Sequence, residues 1–414
     1  MVAGAMVRTA RCENHYQANR QSGIALIVVL ILLGLLVSVL AVGFTGDLAR
    51  QNKKQQQSAD ALARVKDALI GWSASRTQTG TTPNGRPGEL PCPDIDNTGT
   101  DAGGCLAGAI GRVPWKSLGI PEPKDGEGET LWYAIAGPFR NYSMTTAPIT
   151  SDTLGNLTVY VGSSASTITP QAIAVIFAPG AALGTQNRDP SSTAVCPTTG
   201  ATIARNLCAA NYLDATGSVN NANTGGPFIM AQPSSTFNDR LLAITNADLM
   251  PIVEQRVARE IRALLQSYKS VAGVYPWADS NGNGISVLGS NRGHFPCDTF
   301  LTLPVPWGNP LVPSLIPVLP KWLESGCGVN GWASVIYYTA APNQLLLSAC
   351  LTCTLSVNNV PGTALVLLTP GAATGPRSWV SGYFEDAENN GNNDDKYSTP
   401  TSTEYNRDRI YTVP

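Results

Sequence analysis

The first 23 residues carry scattered arginines, and the pattern then turns continuously apolar. Ile24 to Phe44 is a run of 21 residues without a charge. At ~1.5 Å rise per residue a helical run of that length spans roughly 30 Å, the thickness of a bilayer's hydrocarbon core, so it predicts one membrane crossing. Beyond it, Leu62, Val65, Leu69 and Trp72 recur at three- and four-residue steps. That periodicity predicts one apolar face continuing to about Ser75 and a single helix over 24–75, roughly 78 Å long. A second helix is expected from Asp248 and Pro251, which read as a start signal, with an apolar stripe of Val257, Ile261, Leu264, Leu265 and Tyr268. Short strand-like runs separated by turns follow each helix. The 40 Gly and 30 Pro of the chain fit such a turn-rich body.

Charge sets the expected orientation. Arg8, Arg11 and Arg20 precede the apolar run against one acid, Glu13. Positive residues stay on the cytoplasmic side, so the N-terminus is expected inside and the C-terminal region outside. Gly23 sits before the apolar run rather than after it, unlike the cleavage site of a secretory signal peptide. The order of basic leader, Gly23 and apolar helix resembles the type IV prepilin class, which includes pilins, minor pilins and type II secretion pseudopilins. The resemblance implies a leader, 1–23, cut between Gly23 and Ile24 by a prepilin peptidase, with N-methylation of Ile24. It implies a transmembrane helix and stalk over 24–59. It also implies the bacterial inner membrane as the first location, then a pilus or pseudopilus. The implied partners are other pilin or pseudopilin subunits, met through the N-terminal helix, together with the peptidase and the membrane. An uncleaved signal anchor is the alternative. One position departs from the family: its fifth mature residue is usually Glu, and here it is Val28. Pilins lacking that acid are mostly minor subunits at a fibre tip, so a tip or initiating role is implied.

The region after the stalk reads as a duplication. Leu90–Asp94 compares with Tyr275–Asp279, Val113–Trp115 with Val305–Trp307, and Leu131–Tyr133 with Ile336–Tyr338. Ala174–Gly180 compares with Leu365–Gly371, and Phe237–Arg240 with Tyr405–Arg409. Five matches in one order, each set after a helix, predict two homologous heads over 60–245 and 246–414. The alternative is a shared habit of Pro-aromatic turns. Val305–Pro310 also resembles a Pro-Trp-Gly-Asn-Pro signature of major pseudopilin heads. The expected fold class is α+β: a long N-terminal membrane-spanning helix, then two tandem pilin-like heads, each a helix packed on an antiparallel sheet.

Cys12 falls in the leader, leaving eight cysteines: Cys92, Cys105, Cys196, Cys208, Cys297, Cys327, Cys350 and Cys353. An even count in an exported chain favours disulfides. Spacing suggests Cys92–Cys105 and Cys196–Cys208, with Cys297–Cys327 and Cys350–Cys353 for the rest. A zinc site on the last four, or a redox pair at Cys350 and Cys353, are the rival readings. Removing the leader's three Arg and one Glu takes the formal charge from −2 to −4. No basic tract suggests nucleic acid.

Enzyme signals are poor. Of two histidines only His294 lies beyond the leader, and no phosphate loop, nucleophile elbow or paired-histidine metal motif is present. Calcium is the candidate cofactor. Asp279, Asn281 and Asn283 place oxygens at alternate positions before a Gly, as do Asp386, Glu388 and Asn390; Asp94, Asp96 and Asp101 form a looser version. The alternative is an Asx-rich turn capped by its own side chains. The expected function is a non-enzymatic prepilin-like subunit, a minor or tip component of a type IV pilus or type II secretion pseudopilus. The runner-up is a membrane-anchored adhesin or binding module that uses the stalk only for display.

Overall fold

The computed structural model describes residues 18–76, 85–141, 147–162, 166–297, 307, 319–324, 331–345, 350, 353–369, 371, 396–397 and 409–413. The chain divides into two units, Met1–Gln57 and Ser58–Pro414. Helix α1 runs over Ala18–Ala74.

The expectation of a membrane-spanning helix is corrected here. Among the described residues, no helix is long and apolar enough to cross a membrane. The described apolar side chains of the N-terminal run extend from Leu26 to Leu35. The transmembrane assignment and the single-pass inner-membrane location are overturned by that finding. The fold is a mixed α and β chain with several small sheets among the described residues.

The first strands are β1 (Ile110–Arg112), β2 (Trp132–Ile135), β3 (Leu157–Val161), β4 (Ser166–Ala172) and β5 (Ala174–Ala178). Two small hairpins follow, β6 (Thr193–Val195) with β7 (Thr202–Ala204), and β8 (Ala215–Thr216) with β9 (Val219–Asn220). Then come β10 (Phe228–Met230), β11 (Arg240–Ile244) and helix α2 (Asn246–Ala272). The rest comprises β12 (Arg292–His294), the short α3 (Lys321–Glu324), β13 (Tyr337–Ala340), β14 (Leu355–Val357), β15 (Val360–Thr363), β16 (Leu365–Thr369), β17 (Lys396–Tyr397) and β18 (Arg409–Val413).

Two four-stranded antiparallel sheets have matching orders, β1-β2-β5-β11 and β12-β13-β16-β18. Two three-stranded sheets match as well, β10-β3-β4 and β15-β14-β17. In each, one outer strand pairs parallel and the other antiparallel with the middle one. The registers agree residue by residue. Tyr133 faces Gly111 and Ile176; Tyr338 faces Gly293 and Leu367. The two tyrosine hydroxyls donate to the carbonyls of Pro91 and Pro276. Register therefore aligns Gly111-Arg112-Val113-Pro114 with Gly293-His294-Phe295-Pro296. That differs from the sequence match of Val113–Trp115 with Val305–Trp307; of that second segment only Trp307 is described. Backbone bonds decide the matter: Val113 donates to Leu131 at 3.0 Å and Phe295 to Ile336 at 3.2 Å. A Pro-Trp turn is a weaker, purely local signal.

Helix α1 buries Ala61, Leu62, Val65, Leu69, Ile70 and Ala74. Trp72 stays half-exposed, with the Arg76 guanidinium over its ring at 4.2 Å. Helix α2 starts with Thr245 as N-cap and Asp248 completing a capping box, and it ends at Gly273 with φ 77°. Its Leu249, Val253, Val257, Ile261 and Leu265 join the same buried cluster as the α1 face and residues from both large sheets.

Candidate functional site

Gly23 and Ile24 lie within α1, and their side chains fall outside the described ones. Val28 is 48% exposed, inside an apolar stretch whose described large side chains are all open to solvent.

Disulfides join Cys92 to Cys105, Cys196 to Cys208 and Cys350 to Cys353. Cys297 is disulfide-bonded, and Cys327 lies outside the described residues. The seven described cysteines are therefore neither thiolate ligands nor reduced thiols in this state.

The leading aspartates of two Asp loops, Asp94 and Asp279, are buried. The Asp279 carboxylate accepts backbone N–H bonds from Asn281 at 3.0 Å, Gly282 at 2.8 Å, Asn283 at 3.3 Å and Gly284 at 2.6 Å. The Asn283 side-chain oxygen takes the Ile285 N–H. Asp94 does the same with Asp96, Thr98 and Gly99, and burial pushes its carboxyl up from the usual value. Asp96 accepts from the Thr98 hydroxyl and amide, and this holds its carboxyl below the usual range. Asp101 is bound to Gly103 N–H and to the Asn141 amide. A cation needs converging oxygens; here the acceptors meet N–H groups, the geometry of an Asx turn. Asp386, Glu388 and Asn390 lie outside the described residues. Among the described residues, no group of three or more His, Cys, Asp or Glu side chains is disposed to hold a metal ion.

Three buried polar clusters escaped the sequence reading, because each joins segments far apart in the chain. In the first, Arg112 sits opposite Trp132 in the β1–β2 ladder. It donates from Nη2 to the Asn206 carbonyl at 3.1 Å and to the Tyr212 hydroxyl at 2.8 Å. Arg188 covers the Tyr212 ring at 4.5 Å and pairs with Glu129 at 3.0 Å. In the second, Asp239 accepts the Asp214 N–H at 2.8 Å and the Asn221 amide at 3.0 Å. Burial, then the nearby Asp214 charge, pushes Asp239 well above the ordinary carboxylate range, and burial raises Asp214 as well. The third is Glu254 of α2, only 1% exposed. It accepts the Ser151 hydroxyl from the first half, and Thr369 and Arg409 from the second.

His294 occupies the place in the second large sheet that Arg112 holds in the first. It is 5% exposed, and burial lowers its pKa to about 3. A neutral imidazole locked in a sheet is a structural group. No family model, no curated protein and no solved structure matches the chain.

Proposed function

We propose that this chain is a non-enzymatic, prepilin-like assembly subunit, a minor or tip component of a type IV pilus or type II secretion pseudopilus. The observation that carries the reading is the N-terminal part of α1. From Leu26 to Leu35 its described large side chains are apolar and roughly half exposed or more, as with Leu26 at 63% and Leu35 at 58%. A helix apolar on every side is stable only when something covers it. Helices of neighbouring subunits would do so, each apolar face replacing water around the next. The two halves, 60–245 and 246–414, act in this reading as tandem heads on one stalk. Buried polar clusters join distant segments of these halves, as Glu254 joins Ser151 to Arg409.

Processing tests this directly. Mass spectrometry of the protein isolated from its native cells is expected to give an N-terminus at Ile24, carrying an added methyl group. Gly23→Val is expected to retain the Met1 end. A wild-type protein that still begins at Met1 removes the prepilin reading.

A further inference from the structure

Arg112 is a buried cation whose side-chain hydrogen bonds go to neutral acceptors, the Asn206 carbonyl and the Tyr212 hydroxyl. The residue is 7% exposed. Its guanidinium lies 4.8 Å from the Tyr212 ring and 5.5 Å from the Trp132 ring. Both rings are buried, Tyr212 to 3% exposure and Trp132 to 2%. Among the described residues no carboxylate forms an ion pair with it, whereas Arg188, on the same Tyr212 ring, is paired with Glu129. Aromatic faces and two neutral acceptors soften the burial of a cation but leave its charge uncompensated. Two donors nearby are also unfilled: Arg112 Nε and Trp132 Nε1 are buried without a hydrogen-bond partner. They belong to residues directly opposed in the sheet.

Two empty donors beside a buried cation call for an acceptor that carries negative charge. A water molecule would fill donors and leave the charge as it is. We propose that the Arg112–Trp132–Tyr212 cluster binds a small monovalent anion, of the size of formate or chloride. The depth of burial excludes a bulky ligand. Asn206, which receives one of the Arg112 bonds, lies between Cys196 and Cys208, so a backbone carbonyl of the disulfide-closed loop lines the site. The corresponding place in the second large sheet holds His294 opposite Tyr337. Imidazole in that position brings no obligatory positive charge, so the site belongs to the first half alone.

The test uses the full chain, labelled with nitrogen-15. The Trp132 indole cross-peak is assigned by its disappearance in Trp132→Phe. Sodium formate and sodium chloride are titrated in turn against sodium gluconate at constant ionic strength. The expected result is a saturable shift of the Trp132 indole signal with formate, chloride or both, and at least ten-fold weaker binding in Arg112→Lys. A response to formate alone identifies a planar two-oxygen ligand; a response to chloride alone identifies a spherical one. A Trp132 signal that stays in place with both salts overturns the proposal, as does equal affinity in Arg112→Lys. Should Arg112→Lys fail to fold, the wild-type titration decides alone.

Discussion

Gly111 and Gly293 show how a single residue sets local structure. A Cβ at Gly111 would sit 2.5 Å from the Asp94 carbonyl oxygen, and one at Gly293 2.2 Å from that of Asp279. Only glycine lets the strand approach the Asp-loop backbone so closely, and the two N–H···O bonds between Asp279 and His294 depend on that approach. His294 beside it gives a pH prediction. Its folded pKa, about 3, lies below the unfolded value near 6.5. Between those values the unfolded chain binds the extra proton. Its contribution is therefore fully present above pH 6.5 and is lost as pH falls toward 3, by up to several kcal/mol. Urea unfolding of wild type and His294→Gln at pH 7, 5 and 4 is expected to show a shallower decline in the variant. Parallel declines would mean that His294 titrates normally. Asp239 acts in the opposite sense: its raised pKa favours the protonated form, so its contribution fades as pH rises above about 4.

Helix α2 is the element that ties the halves together. Its apolar stripe lies in the common core, and its first turn reaches back to the first half. Asp248 pairs with Lys66 of α1 at 2.6 Å, and Asn246 donates to the Ser151 carbonyl at 3.0 Å. About two turns further on, Glu254 holds Ser151 and Arg409 at once. Removing one member of a buried ion pair leaves the other uncompensated. Glu254→Ala is therefore expected to lower unfolding stability by ~3–5 kcal/mol. Glu254→Gln, which still offers an acceptor to Ser151, should lose less. Chemical denaturation of both variants checks the order; a loss under ~1 kcal/mol for Glu254→Ala would show the bridge to be idle. Lys66 and Asp248 are each partly exposed, so their pair is screened and adds little.

At the scale of the whole chain, residues Ser58–Pro414 form one compact unit in which the same sheet plan occurs twice. In the proposed reading, two heads on one stalk would be bulky for a subunit repeated along a tightly packed fibre. In the same reading, Val28 would offer no carboxylate to the N-terminal amine of a subunit above. Both features favour a fibre end, and the proposal predicts very low copy number with immunogold label confined to one end. Val28→Glu is expected to bring no gain in assembly, because an acid buried without a partner costs several kcal/mol. Label distributed along the fibre would reject the tip position and leave the subunit reading in place.

Sequence alone determined what depends on neighbours along the chain. Three- and four-residue periodicity marks the buried faces of α1 and α2, since that spacing puts side chains on one side of a helix. Uninterrupted apolar runs mark β2 and β5, where every residue is buried. Short cysteine spacings likewise favour local loop closure. The apolar run at Ile24 is the instructive departure: hydropathy alone predicted a membrane crossing, and the described helix does not present one. Tertiary structure decided the rest. Asp, Asn and Gly at alternate positions suit either a cation or an Asx turn; that the Asp94 and Asp279 carboxylates accept backbone N–H groups of their own loops is visible only in the folded chain. Arg112 meets Tyr212, and Ser151 meets Glu254, across 100 and 103 positions. Nothing local encodes those meetings, because the energy of a buried charge depends on which groups the fold brings beside it.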